Sequence, residues 1–147
     1  RASDDCVYLH GQIIKGHALI KDDSAINLRP EMYRDFVRPC DARILAAVGG
    51  GGVHFCGRAD HLREHILSLE GLQCLDFGQP DLNEFEAWQR ECAERGIALV
   101  RVLLNLLGTP AGEVRQRFPT GASLVFQAES REAAAAYWQA AQSASPK

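Results

Sequence analysis

Residues 52–77 read GVHFCGRADHLREHILSLEGLQCLDF and contain one complete repeat of the fold. β-Branched, aromatic and other apolar residues cluster at Gly52 to Cys56 and again at Leu72 to Phe77, as strand residues do. Between them the sequence predicts a helix from about Asp60, a good capping residue, to Glu70, closed by Gly71. A strand, a helix and a second buried strand make a βαβ unit, whose two strands run parallel.

The same punctuation extends in both directions. Upstream, Gly16 to Lys21 reads as a short strand ending in Asp22-Asp23-Ser24. Pro30 then opens a helix through roughly Val48, with Met32, Phe36, Val37, Ile44 and Leu45 as its apolar residues. Pro39 lies inside that helix and predicts a kink near Phe36. Downstream, a loop at Gly78 to Asp81 leads to a helix from Leu82 to Arg95, closed by Gly96. Ile97 to Leu107 is a nearly unbroken apolar run, expected as a strand buried on both faces. A short helix from Thr109-Pro110 to about Arg117, a strand at Ala122 to Phe126 and an Ala-rich helix from Glu132 to Ala141 complete the series. Residues 1–15 are expected as a lead-in, irregular or holding a strand at Val7–Leu9 and Ile13–Ile14, and residues 143–147 as a frayed tail.

About five parallel strands with following helices are too few for a closed eight-stranded barrel of about 250 residues. They correspond to half of one. The expected fold is therefore α/β, the carboxyl-terminal half of a parallel (β/α)8 TIM barrel, with residues 1–147 forming a single partial domain. A doubly wound open sheet is the competing architecture. Gly49 to Gly52 precede a strand rather than follow one, so they make no phosphate-binding turn. The first residue is Arg1, and Met32 is the only methionine. The expectation drawn from this is that the chain is part of a longer protein.

Composition narrows the function classes. The chain has 147 residues, 46% of them hydrophobic, 24% charged, with a formal net charge of −3. That balance gives no basic stripe for nucleic acid. No apolar run approaches the roughly 20 residues that span a bilayer. The five cysteines, Cys6, Cys40, Cys56, Cys74 and Cys92, have no framework spacing, so reduced thiols and a cytoplasmic location are expected.

His54 and Cys56 carry the chemistry. Side chains alternate along a strand, so both point to one face at its carboxyl end. An imidazole and a thiol there supply two of the ligands that a catalytic zinc needs. The competing reading is a buried cysteine beside a hydrogen-bonded histidine. Other strand ends supply further polar groups. Asp22 and Asp23 are candidate catalytic carboxylates together with His54, or an Asx turn. Arg58, Asp60, His61, Asp76, Gln79 and Asn83 are candidate substrate-binding residues, although Asp60 serves equally as a helix cap. Tyr33 and Trp88 read as core.

The order of these segments, from Ile20-Lys21-Asp22-Asp23 through Pro30 to Pro39 and then His54-Phe55-Cys56-Gly57, resembles the uroporphyrinogen decarboxylase superfamily. That superfamily includes cobamide-dependent methyltransferases. The resemblance runs from about Gly16 to Ala141 and covers the second half of the family's barrel. In the methyltransferase branch a His-x-Cys pair at this strand and a later cysteine hold zinc, which activates a thiol to attack a corrinoid-borne methyl group. His54 and Cys56 match the first two ligands. No cysteine follows Cys92, so Cys74 and Glu129 are the candidates for a third.

The resemblance implies an enzyme of this superfamily on its methyltransferase-like side, with a small-molecule substrate, zinc as cofactor and a corrinoid protein as partner. It further implies a missing amino-terminal half barrel, without which this piece is expected to be inactive, and homodimerisation is a further expectation. The alternatives are uroporphyrinogen decarboxylase itself, in porphyrin biosynthesis, and a non-catalytic barrel remnant. Leu124 to Ala128 lacks the histidine of the decarboxylases. The acidic strand ends would also repel a polyanionic tetrapyrrole.

Overall fold

A computed structural model describes residues 6–9, 11–15, 17–118 and 122–143. Strands β1 (Cys6–Leu9) and β2 (Gln12–Lys15) pair antiparallel about Gly11, whose φ is 77°. Residues 6–9 and 12–15 are thus paired strands, the second of the two expectations for this segment, with Val7 opposite Ile14 in register. The repeating part begins with β3 (Leu19–Lys21). It continues through α1 (Pro30–Met32), α2 (Arg38–Val48), β4 (Gly51–Phe55), α3 (Arg63–Leu67) and β5 (Leu72–Phe77). Then come α4 (Phe85–Arg95), β6 (Ala98–Val100), β7 (Val102–Leu103), α5 (Val114–Arg117), β8 (Leu124–Val125) and α6 (Arg131–Ser143).

β3, β4, β5 and β6 form a four-stranded parallel sheet in that order, and β7 and β8 form a parallel pair. Backbone bonds join the two: the Ser123 N–H donates to Leu99 O and the Val102 N–H to Ser123 O. Spatial order therefore follows chain order with no reversal. The run Ile97 to Leu107 is not one strand. It breaks at Arg101, which has a φ of 53°. Of the tail, Ser143 belongs to α6 and residues 144–147 lie outside the described residues. Among the described residues no helix is long and apolar enough to cross a membrane.

Pro39 does more than kink its helix. Lacking an N–H, it cannot bond to the Asp35 carbonyl four residues back, and the chain takes a π-helical turn at Tyr33–Val37. The extra residue in that turn rotates the helix face. Tyr33 and Leu45 are fully buried, whereas Phe36 is 72% exposed, and Met32 and Ile44 are exposed as well. Those three of the helix's apolar residues thus face outward. Gly96, at φ 69°, caps α4 as its sequence position predicts, and Gly49, at φ 78°, caps α2, whereas α3 ends at Leu67, short of the expected cap Gly71.

The sheet has one apolar face and one polar face. Register sets Val53 beside Leu75 and Phe55 beside Phe77, and this face packs on α4. Phe77 lies with its ring centroid 5.3 Å from Trp88 and 5.6 Å from Phe85. Each such buried aromatic contributes roughly 1.5–3 kcal/mol. The opposite face aligns Lys21 with His54 and His54 with Asp76. Gly52 permits this alignment, since a Cβ there would come within 2.5 Å of Cys74 Sγ.

Candidate metal centre

β3 ends at Lys21, and the next two residues part company. Alternation turns Asp22 toward the helices and Asp23 toward His54, so the adjacent carboxylates have different surroundings. The Asp22 N–H donates to His54 O at 2.7 Å, continuing the pairing of β3 with β4. Asp23 Oδ1 accepts the Cys56 N–H at 2.9 Å and lies 3.4 Å from His54 Nε2. Cys56 Sγ is also 3.4 Å from that nitrogen. The three donor atoms of Asp23, His54 and Cys56 all lie within 4.8 Å of one another.

The other side of the ring is equally constrained. His54 Nδ1 lies 3.0 Å from Asp76 Oδ2. Asp76 Oδ1 receives Arg101 Nε at 2.9 Å and Nη2 at 2.8 Å. Only about 1% of the Asp76 side chain and 5% of the His54 side chain are exposed. Of the two carboxylate oxygens that flank the ring, Asp76 Oδ2 at Nδ1 is nearer than Asp23 Oδ1 at Nε2, 3.0 Å against 3.4 Å, which favours a proton on Nδ1 and a lone pair on Nε2 toward Cys56 and Asp23.

A cavity of about 350 Å³ opens on this group, lined by His54, Cys56, Gly78, Gln79 and Arg101. Gly78 must be glycine here, because a Cβ would sit 2.5 Å from Cys56 Sγ. Gln79 Oε1 accepts the Gly57 N–H at 2.6 Å, leaving its amide nitrogen as the end available to the cavity. Burial, and then the neighbouring Asp23 carboxylate, raise the Cys56 thiol above its ordinary pKa. A cation between the ligands would reverse both effects.

Several residues expected to bind substrate hold loops instead. Asp60 does not cap its own helix. Its Oδ1 accepts the Glu84 N–H and the Trp88 Nε1–H, each at 2.9 Å, so it anchors the start of α4. Burial would raise its pKa, but those bonds and Arg58 hold it below the ordinary carboxylate value. Arg58 is exposed and pairs with Asp60 at 3.0 Å. Asn83 Oδ1 accepts the Ala59 N–H, while its Nδ2 donates to Gly57 O and Gln79 O. His61 Nε2 lies 3.1 Å from Leu28 O and is exposed.

The two candidates for a third ligand do not reach the pair. Cys74 is buried with its sulfur against Gly52, and burial pushes its thiol up to about 11. Glu129 is exposed beyond β8. Among the described residues, Asp23 is the carboxylate whose oxygen lies within 4.8 Å of both donor atoms of the pair. Asp22 meets residues that the sequence reading left in the core or passed over. The Tyr33 hydroxyl donates to Asp41 Oδ2 at 2.9 Å, and Asp22 Oδ2 is buried with no hydrogen-bond partner. Burial, and then the Asp41 carboxylate, push Asp22 up to about 7. The stripe Val37, Asp41 and Leu45, spaced four apart, was the available signal that Asp41 turns inward.

The chain matches no protein-family model, no curated protein sequence and no solved structure.

Proposed function

We propose that the chain is the zinc-holding half of a parallel (β/α)8 barrel enzyme, on the methyltransferase-like side of the uroporphyrinogen decarboxylase superfamily. The observation that carries this reading is the spacing around His54 Nε2. A tetrahedral zinc with nitrogen and oxygen ligands at about 2.0–2.1 Å and a thiolate at about 2.3 Å needs ligand separations of about 3.3–3.6 Å. His54 Nε2 lies 3.4 Å from Cys56 Sγ and 3.4 Å from Asp23 Oδ1. Three protein ligands leave one coordination position for substrate, as catalytic sites require.

His54, Cys56 and Asp23 would hold the ion, and Asp76 would orient His54 from behind. Zinc bound there supplies acidity, converting a substrate thiol to thiolate at neutral pH. Asp23 also holds the Cys56 backbone in place, and Gly78 leaves room above the sulfur. The location at strand carboxyl ends, on a sheet whose order follows the chain, fits a barrel mouth. Arg101, the cavity's guanidinium, is already paired with Asp76, so the site suits a small thiol better than a polycarboxylate. In this reading the methyl donor is a corrinoid protein and the compartment is the reducing cytoplasm. A further half of the protein supplies the strands that close the barrel.

The test is metal content. The purified intact protein is expected to hold close to one equivalent of zinc, which Cys56→Ala loses and Asp23→Ala weakens at least about tenfold. Cobalt-substituted protein should show a thiolate charge-transfer band that intensifies when a small thiol is added. A folded protein that takes up no zinc or cobalt would overturn the proposal.

A further inference from the structure

β6 and β7 would be a single strand were it not for Arg101. Register places Val100 beside Asp76, so in regular alternation residue 101 would face the apolar layer with Leu99. Instead Arg101 has a φ of 53°, the one positive value at a non-glycine among the described residues. The strand gains a bulge, and Leu99, Val102 and Leu104 all remain in the core. A bulge re-aims one side chain while the chain on either side stays packed. Here the guanidinium is carried across to Asp76, with Nη2 also donating to Phe77 O at 3.3 Å. Its Nε and Nη2 both reach Asp76 Oδ1, which leaves Oδ2 facing His54 Nδ1.

We propose that Arg101 is a positioning residue for the centre: the bulge places its guanidinium on Asp76 Oδ1, which keeps Oδ2 on His54 and fixes the Nδ1–H tautomer with Nε2 turned to Cys56 and Asp23. A carboxylate held at one oxygen has a fixed torsion. Without the guanidinium, this restraint on the Asp76 torsion is lost, and with it the alignment of Oδ2 that selects the tautomer of the ring. The inference rests on the metal reading only for what Nε2 donates to. The competing account is that the bulge serves packing alone.

Arg101→Gly separates the two, because glycine adopts positive φ without strain and preserves the backbone while removing the side chain. Long-range ¹H–¹⁵N spectra of the intact, metal-free protein, with His54 assigned against His54→Gln, report the tautomer directly. The wild type is expected to show the Nδ1–H form. Arg101→Gly is expected to shift toward the Nε2–H form and to bind added zinc about 10–100-fold more weakly. Arg101→Lys should restore part of both. Retention of the Nδ1–H form in Arg101→Gly would overturn the proposal, whatever zinc does. A wild type that shows the Nδ1–H form but takes up no zinc would overturn the metal reading instead, and the tautomer comparison would still decide the role of Arg101.

Discussion

Asp76→Asn is the most demanding test of the buried relay. Asp76 is 1% exposed and faces Arg101 on one oxygen and His54 on the other. Asparagine keeps the shape but offers one acceptor and one amide donor. His54 can answer the amide N–H by moving its own proton to Nε2, but Arg101 loses its buried countercharge. Charge-assisted hydrogen bonds contribute about 1.5–3 kcal/mol each, and breaking a buried ion pair from one side costs about 3–5 kcal/mol. Arg101 is 17% exposed, so water reaches part of the stranded guanidinium and the lower end applies. The expected loss is about 3 kcal/mol. With a urea m-value of about 1.5 kcal/mol/M, the unfolding midpoint should fall by about 2 M. Adding Arg101→Met should return part of that loss by removing the uncompensated charge. A midpoint for Asp76→Asn within about 0.3 M of wild type would refute the argument that this pair is buried and mutually dependent.

Two further outcomes concern neighbouring carboxylates. The pKa of Asp22 rises from 3.8 to about 7 in the folded state, so the folded chain binds the proton more tightly than the unfolded chain. Its contribution to stability is complete below about pH 4 and is lost as pH rises toward 7. Asp22→Asn should flatten the pH dependence of urea unfolding across that window, and an unchanged profile would exclude Asp22 as its source. Asp60→Ala strands the Glu84 N–H and the Trp88 Nε1–H, a loss of about 2 kcal/mol. A red-shifted Trp88 emission should accompany it, and emission and stability both equal to wild type would contradict the anchoring role.

The candidate centre was only partly legible before folding. His54 and Cys56 lie two apart at a strand end, and alternation alone predicts that they meet, as their 3.4 Å contact shows. The third donor was not predicted from spacing. Asp23 lies 33 residues before Cys56, and its approach depends on β3 pairing in register with β4. The rim residues misled for a related reason. Asp60, His61 and Asn83 are polar and follow strands, yet each meets a backbone group from another segment. Short loops packed against one another must satisfy their own N–H and C=O groups first.

Period and punctuation determined the parallel strand–helix repeat, the glycine cap at Gly96, and the pairing of His54 with Cys56. These depend on residues within a few positions of one another, where propensity and alternation act directly. The tertiary structure decided the rest. It turned Pro39 into a π turn that exposes Phe36, broke the apolar run at Arg101 to bring a guanidinium onto Asp76, and sent Asp22 and Asp23 to opposite sides of the sheet. The approach of Arg101 to Asp76 and of Asp23 to His54 depends on register between segments distant in the chain, and register is fixed only when the apolar face of the sheet packs on its helices.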